Sequence, residues 1–249
     1  KIGKDQHGKL YREKLESLGV SDCLAEGEGG TGSSLILVSE DGARTMNTFL
    51  GMSQELKNND IDPDVIESSK FLYLTGYLWD TESQKKAVLN ALDEAKKREI
   101  KVALSLSDPF CVKRHKEDFI NLLKGYASIV FCNQEEAFTL LDTKITQKAV
   151  ETMSDWAETV ALTLGAYGAL ISNNGETFYI DPLPVSVEDT TGAGDAFAAG
   201  FLYGMTHDFS PLESGRIGAA LAAGVIGQTG PRYLGNTRKL IQDNLGIIL

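Results

Sequence analysis

The sequence lacks any long apolar run, and no stretch reaches the roughly 18 residues that a membrane-spanning helix needs. Its first nine residues are polar, so no secretory signal peptide is expected. Basic side chains are also scarce, since 24 Lys and Arg stand against 35 Asp and Glu, which gives a net charge of −11. This excess of negative charge argues against nucleic acid or an anionic membrane surface as a partner.

Cysteine is rare as well, with only Cys23, Cys111 and Cys132 in the chain. Their number is odd and their spacing does not match a metal site, so we interpret them as buried free thiols in a reducing cytoplasm. The chain has no internal repeat and no low-complexity tract. Its 249 residues, 42% of them hydrophobic, are enough for one large domain or two small ones with a substantial core.

The most distinctive stretch is residues 189–197, which read Asp-Thr-Thr-Gly-Ala-Gly-Asp-Ala-Phe. A short apolar segment precedes it, and a helix rich in small residues is predicted over residues 196–204. Glycines allow backbone N–H groups to converge on one point, and a helix start adds unpaired N–H groups and a partial positive charge. The stretch therefore predicts a cradle for an anion such as phosphate.

Asp195 is unexpected in such a cradle, because its carboxylate would repel a bound phosphate. Its presence is explained if it takes a proton from a hydroxyl that attacks the phosphate. A glycine-rich loop that leads into an acidic helix start is also common without any ligand. The residues alone leave both interpretations open.

The first hundred residues predict one hairpin and one strand–helix–strand unit. An apolar helical face over residues 10–18 predicts that the chain opens on a helix, with no strand before it. Residues 34–39 and 44–50 predict a hairpin whose turn is Glu40-Asp41-Gly42. Strands over residues 71–75 and 101–106 enclose a helix, which is typical of a parallel sheet.

Polar residues follow several predicted strands, where active sites of such sheets lie. Asp108 could line a phosphate and Mg²⁺ region, or could simply form a turn before proline. Asn133 and Glu136 follow the next strand and have the spacing of a capping box, which by itself indicates only a helix start. Thr163, Gly165 and Gly168 form a Thr-x-Gly-x-x-Gly pattern, which an ordinary turn before a hairpin would also produce.

The stretch over residues 189–197, with Gly200 after it, resembles the C-terminal signature of the PfkB/ribokinase family of carbohydrate and nucleoside kinases. This resemblance implies an α/β fold: a ribokinase-like three-layer α/β/α sandwich with a mainly parallel central sheet and a small β-sheet lid. It implies one kinase domain over residues 1–249, with residues 31–50 as part of the lid. Family members begin with a strand that bears a substrate-binding acid and a Gly-Gly segment, so this chain is expected to lack its natural first strand.

The resemblance also implies an ATP-dependent phosphotransferase that acts on a hydroxyl of a sugar or nucleoside. Gly192, Ala193 and Gly194 would form the anion hole for the transferred phosphate, and Asp195 would be the catalytic base that contacts the substrate. Arg44 and Asn47 are candidate substrate contacts from the lid, or else lid-surface residues. Residues 31–50 and 73–80 are similar to a bacterial branch labelled adenosine kinase or sugar kinase, which leaves the acceptor open.

The implied cofactors are ATP, Mg²⁺ and a monovalent cation such as K⁺. Asn133 and Glu136 would order Mg²⁺ through water, and Asp189 and Thr191 would bind the monovalent cation. The implied nucleotide-binding residues are Asn133, Thr163, Gly165, Gly168, Gly194 and Ala219. The expected partners are a small sugar or nucleoside and a second copy of the chain bound through the lid. The alternatives are a non-catalytic nucleotide- or sugar-binding relative and an inactive truncated core.

Overall fold

Strands and helices alternate along the chain in the computed structural model, which describes residues 1–39 and 44–247. The strands are β1 (Ile2–Gly3), β2 (Glu26–Gly27), β3 (Ser33–Val38), β4 (Arg44–Phe49), β5 (Phe71–Thr75), β6 (Lys101–Ser105), β7 (Ala127–Asn133), β8 (Thr159–Thr163), β9 (Ala169–Asn173) and β10 (Glu176–Ile180). The helices are α1 (Gln6–Ser17), α2 (Pro63–Glu67), α3 (Glu82–Lys97), α4 (Pro109–Arg114), α5 (Lys116–Tyr126), α6 (Gln134–Leu141), α7 (Thr146–Ser154), α8 (Ala193–Thr206), α9 (Pro211–Ile226) and α10 (Thr237–Leu245).

The main sheet has six strands in the order β10-β9-β8-β7-β6-β5. Strands β7 and β8 are parallel and buried along most of their length, because helices cover both faces of such a sheet. Strands β9 and β10 continue the sheet in antiparallel fashion, so the sheet is mixed. This layered arrangement of helices and sheet confirms the predicted three-layer α/β/α sandwich.

Residue contacts divide the chain into two compact units. The first contains Lys1–Leu37 and Thr45–Val102, and the second contains Val38–Arg44 and Ala103–Leu249. The single kinase domain expected over residues 1–249 stays a prediction.

The first unit opens with the two-residue strand β1, which pairs in parallel with β2. The prediction that no strand precedes the first helix is therefore wrong, because two residues are too few to show the alternation that identifies a strand. Asp5 caps α1, and its carboxylate accepts hydrogen bonds from the Thr31 hydroxyl, the Thr31 N–H and the Gly8 N–H. These hydrogen bonds lower the pKa of Asp5 to about 2, and the bond from the Thr31 hydroxyl contributes most.

The predicted lid hairpin is present as a two-stranded sheet of β3 and β4. Its predicted turn, Glu40-Asp41-Gly42, lies outside the described residues. Ser34 Oγ and Thr48 Oγ1 lie 2.8 Å apart, which places these two side chains on the same face of the sheet.

In the second unit, helices α8 and α9 pack against each other unusually closely. A Cβ atom on Gly200 would lie 2.8 Å from the Cα atom of Gly218, so only glycine fits this contact. The run of small residues in α9 thus serves tight helix packing. Phe201 of α8 meets Phe131 of β7 edge-on, with ring centroids 5.5 Å apart, and this contact anchors α8 to the strand that ends at Asn133.

Several other features that were predicted from short stretches of sequence are present in the structure. Capping boxes form at the starts of α3, α6 and α9, and Asn174 and Gly175 make the predicted hairpin turn with φ values of 47° and 88°. Cys111 and Cys132 are buried free thiols, but Cys23 is exposed in an irregular segment, so the prediction of burial is wrong for that residue. None of the helices in the described residues is both long and apolar enough to cross a membrane.

Candidate active site

Helix α8 begins without a side-chain cap. Its N-cap residue is Gly192, which has no side chain, and no side-chain hydrogen bond closes this end of the helix. The N–H groups of the first helical residues have no carbonyl partner within the helix, so those of Gly194 and Asp195 remain available to a ligand. Together with the positive end of the helix dipole, they give residues 192–195 the features that favour an anion, and this segment is called the anion cradle below.

The two glycines of the anion cradle have different roles. Gly192 has a φ of 79°, and a Cβ atom there would lie 2.5 Å from the carbonyl oxygen of Pro231, so the fold requires glycine at this position. At Gly194, by contrast, a Cβ atom would have no atom within 4 Å apart from the adjoining residues of its own helix. The space over Gly194 is therefore open to a ligand.

Asp195 is the third residue of α8 and is exposed. Within the described part of the chain, its carboxylate has no hydrogen-bond partner. Partial desolvation by the surrounding protein raises the pKa of Asp195, which makes the carboxylate a better proton acceptor. The Asp195 carboxylate therefore lies at the same helix start as the N–H groups of Gly194 and Asp195, and its role as a catalytic base stays a prediction.

Asp189 holds the backbone that leads into the cradle. Its side chain is buried, and one carboxylate oxygen accepts hydrogen bonds from the Thr191 N–H at 2.8 Å and the Thr191 hydroxyl at 2.6 Å. The other oxygen accepts a hydrogen bond from the Gly230 N–H at 2.9 Å. Sequence analysis missed the contribution of Gly230 and Pro231, because no local pattern links them to a segment about 40 residues away. The cation-binding role of Asp189 and Thr191 stays a prediction.

Asn133 and Glu136 form a closed capping box at the start of α6. The Asn133 side-chain oxygen accepts a hydrogen bond from the Glu136 N–H at 2.8 Å. Glu136 is buried, and its two carboxylate oxygens accept hydrogen bonds from the Asn133 backbone N–H and side-chain amide, at 3.0 and 2.7 Å. Since both oxygens are turned back on Asn133, this pair fits Mg²⁺ through water better than by direct coordination.

Burial is the main cause that raises the pKa of Glu136 to about 7. The hydrogen bond from the Asn133 backbone lowers this pKa, whereas the negative charges of Asp108 and Glu135 raise it further. The charge of Asp108 therefore contributes to the raised pKa of Glu136. Asp108 also caps α4 by accepting hydrogen bonds from the N–H groups of Phe110 and Cys111. In residues 1–39 and 44–247, no group of three or more His, Cys, Asp or Glu side chains could by itself hold a metal ion.

The predicted nucleotide-binding residues are partly brought together. Thr163 ends β8 directly opposite Asn133 at the end of β7, so these two side chains are neighbours at the same edge of the sheet. Gly165 and Gly168 belong to the turn that follows, with φ values of 59° and 82°. Ala219 lies half-buried in α9.

The two candidate acceptor contacts belong to the lid sheet. Asn47 is exposed in β4. Arg44 begins the same strand, but its side chain lies outside the part of the chain that the structure describes.

Comparison with known proteins places these features in a family. Residues 1–238 match the family model described as pfkB family carbohydrate kinase. An uncharacterized sugar kinase of Archaeoglobus fulgidus is 30% identical over 237 residues, which cover 93% of this chain and 91% of that protein.

Two solved structures are similar over nearly the whole chain. A probable sugar kinase from Rhizobium etli is 35% identical with a TM-score of 0.93, and the match covers 97% of this chain and 74% of that one. An adenosine kinase from Sinorhizobium meliloti is 36% identical with a TM-score of 0.92, and the match covers 97% and 75% of the two chains. These similarities confirm the expected ribokinase-like fold.

Proposed function

This chain belongs to the pfkB family of carbohydrate kinases, and we propose that it transfers the γ-phosphoryl group of ATP to a hydroxyl of a sugar or nucleoside. One observation carries the proposal: Asp195 has no hydrogen-bond partner within the described residues, and it stands at a helix start that no side chain caps. A purely structural helix start would have no reason to leave both groups unsatisfied.

In this mechanism, Asp195 takes the proton of the acceptor hydroxyl as the hydroxyl oxygen attacks the γ-phosphorus. The bond between that phosphorus and the β–γ bridging oxygen breaks, and ADP leaves. The N–H groups of Gly194 and Asp195 stabilise the charge on the phosphoryl group during the transfer, and Gly192 and Ala193 complete the anion hole. Gly194 leaves room for that group, because its surface is open.

We assign the cofactor contacts as follows from the residues present. Asn133 and Glu136 hold Mg²⁺ through water, and the ion neutralises phosphate charge when it is bound. Thr163, Gly165, Gly168 and Ala219 line the nucleotide, a placement supported by the pairing of Thr163 with Asn133. Asp189 and Thr191 bind a monovalent cation, which a comparison of turnover in K⁺ and in a large organic cation would test.

The lid contributes the remaining contacts in this proposal. Arg44 and Asn47 contact the acceptor, and a second copy of the chain packs on the lid sheet. Val38 and Met46 support the dimer, because both are exposed apolar side chains on that sheet. Sedimentation of the wild type and of Met46→Glu would measure the association. The cytoplasm, where ATP is abundant, is the expected compartment.

The test is ADP release from Mg-ATP with adenosine, inosine, ribose, fructose and 2-keto-3-deoxygluconate as acceptors. We expect turnover on at least one acceptor, and a loss of roughly 10²–10⁴-fold in Asp195→Asn because proton transfer is lost. ATP binding by the variant should survive.

Glu213→Gln is the matched control for this test, because Glu213 also lies third in its helix but is used in a cap. Its turnover should equal that of the wild type. Undiminished turnover in Asp195→Asn would remove the assignment of Asp195 as the base. ATP binding with no turnover on any acceptor would favour a non-catalytic binding protein.

A further inference from the structure

One side chain closes the segment that connects helices α9 and α10. This segment, residues 227–236, contains no helix or strand and is here called the Gln228 loop. The Gln228 side-chain amide donates a hydrogen bond to the Arg232 carbonyl oxygen and accepts one from the Leu234 N–H at 3.2 Å. A carboxamide carries its donor and its acceptor side by side, so a single glutamine can close the loop at two points.

The closed part of the Gln228 loop lies against the segment that leads into helix α8. The Gly230 N–H donates a hydrogen bond to one carboxylate oxygen of Asp189 at 2.9 Å. The Pro231 carbonyl oxygen lies so near Gly192 that a Cβ atom on that glycine would be only 2.5 Å away. Both loop residues belong to the ring of chain that the Gln228 side chain closes, so the glutamine encloses the contacts to the anion cradle.

The two ends of the Gln228 loop are anchored by other contacts. The backbone N–H groups of Glu188 and Asp189 donate hydrogen bonds to the Ile226 carbonyl oxygen, at 2.9 and 3.3 Å. At the other end, the Tyr233 ring packs on helix α9, since a Cβ atom on Gly224 would lie 3.2 Å from it. The ends are thus held by main-chain and ring contacts, whereas the middle of the loop is closed by the glutamine amide.

The middle of the Gln228 loop has little packing to hold it. Gly230 has a φ of 99°, which glycine adopts readily, and glycine also has the greatest backbone freedom of any residue. Pro231 and Leu234 are exposed. Loops of this kind open locally at a small cost in free energy. Without the two bonds from Gln228, the contacts of Gly230 and Pro231 with the start of α8 should therefore break more often.

These contacts matter for the geometry of the anion cradle. Residues 189–192 lead directly into helix α8, and Gly192 is its N-cap. A shift of this segment would move the N–H groups of Gly194 and Asp195, because both belong to the first turn of that helix. Donors stabilise a transition state only when they are held in place beforehand, and a displacement of about 1 Å can cost roughly 100-fold in rate.

We infer that Gln228 is a positioning residue of the anion cradle, which it fixes by closing the loop that contacts Asp189 and Gly192. All these residues belong to the second compact unit. The inference rests on the proposed function, since it takes the cradle to bind the transferred phosphoryl group. It adds a residue that acts through Gly230 and Pro231.

Hydrogen exchange of the full chain without ATP tests this inference separately from catalysis. Gln228→Met keeps the length of the side chain and removes both of its hydrogen bonds. We expect the amides of residues 189–195 and 228–234 to exchange roughly tenfold faster in this variant, because the loop opens more often. Mass spectrometry of the peptides that cover these two segments measures the rates.

Gln147→Met is the matched control for the exchange measurement. Gln147 also uses its side-chain amide in a hydrogen bond, which it donates to Glu151 at 2.9 Å on the exposed surface of helix α7. Its loss removes a bond between side chains of one helix and touches neither the Gln228 loop nor the cradle. Exchange in residues 189–195 should therefore equal that of the wild type.

Steady-state kinetics then separates a positioning role from a purely structural one. In Gln228→Met, kcat should fall roughly tenfold while KM for ATP stays the same, because the displaced N–H groups act mainly in the transition state. Urea unfolding identifies conditions in which wild type and both variants are fully folded, and kcat is compared there. A residue that only stabilised the fold would leave kcat unchanged under those conditions.

The possible outcomes separate the inference from the proposed function. Faster exchange in residues 189–195 together with a lower kcat, in Gln228→Met but not in Gln147→Met, supports the inference. Unchanged exchange in that segment overturns it at any rate of turnover, and so does faster exchange with an unchanged kcat. If the wild type turned over none of the acceptors, the proposed function would fail, and exchange alone would decide whether Gln228 holds residues 189–195 in place.

Discussion

Helices α6 and α8 both carry an acidic residue in their third position, but only in α6 is its carboxylate hydrogen-bonded to the N-cap residue. At the start of α6, Asn133 and Glu136 satisfy each other in a closed capping box. At the start of α8, the N-cap is Gly192 and Asp195 is not turned back on it. A closed box consumes both the carboxylate and the N–H groups, whereas the open start keeps both for a ligand.

Helix α9 extends the comparison, because it has the same closed box as α6 in an exposed setting. Hydrogen bonds from Ser210 lower the pKa of Glu213, whereas burial raises the pKa of Glu136 to about 7. Partial desolvation is the one cause that raises the pKa of the exposed Asp195. The third position of a helix therefore holds an acid of different pKa in each of the three helices. The hydrogen bonds and the desolvation around each carboxylate determine its pKa.

After the loss of turnover expected for Asp195→Asn, the largest expected effect concerns the two glycines of the open start. Gly194→Ala should lower kcat/KM for ATP roughly 10–100-fold, because its methyl group intrudes where the phosphoryl group must sit. Its free energy of unfolding should not fall, since the new Cβ atom meets nothing within 4 Å beyond the adjoining residues of its own helix. Steady-state kinetics and urea unfolding measure the two quantities.

Gly192→Ala provides the matched contrast for that measurement. It should be destabilised by roughly 1–2 kcal/mol, because alanine is strained at positive φ. The contact with Pro231 adds to this cost. If Gly194→Ala turned over ATP like the wild type, the open space over residue 194 would not be the phosphate site.

The next effect tests the buried acid of the closed box. Folding raises the pKa of Glu136 from its usual 4.5 to about 7 and so favours the protonated form. The protonated Glu136 side chain therefore stabilises the fold fully below about pH 4.5, and this stabilisation is lost as the pH rises to about 7. The loss amounts to about 3 kcal/mol.

Glu136→Gln should lack this pH dependence, because an amide does not titrate in this range. Urea unfolding of both proteins, from about pH 4.5 to about pH 7.5, gives the difference in their free energies of unfolding. We expect the wild type to lose stability relative to the variant as the pH rises. Parallel curves would mean that Glu136 is already ionised near its usual pKa.

The smallest effect compares the caps of α6 and α9. Ser210→Ala and Asn133→Ala each remove an N-cap side chain, so each should lower the free energy of unfolding by about 1 kcal/mol. Only Asn133→Ala should also raise the Mg²⁺ concentration needed for half-maximal turnover. An equal Mg²⁺ requirement in the two variants would reduce Asn133 to a helix cap.

Features that depend on neighbouring residues were predictable from the sequence. The capping boxes of α3, α6 and α9, the Asn174-Gly175 turn and the start of α8 near Gly192 each depend on residues within a few positions of one another. Strand β1 and the exposure of Cys23 were not predictable in the same way. A two-residue strand is defined by its partner, and exposure is defined by whatever packs nearby.

The sequence alone was thus enough for the α/β class and for the glycine-rich helix start that carries Asp195, because backbone conformation and spacing along one segment determine them. Tertiary structure decided that Glu136 is closed and buried while Asp195 is open, and that Asp189 holds the cradle through Gly230. Those properties depend on desolvation and on contacts between distant segments. Both arise only when the chain is folded, so no local pattern of residues records them.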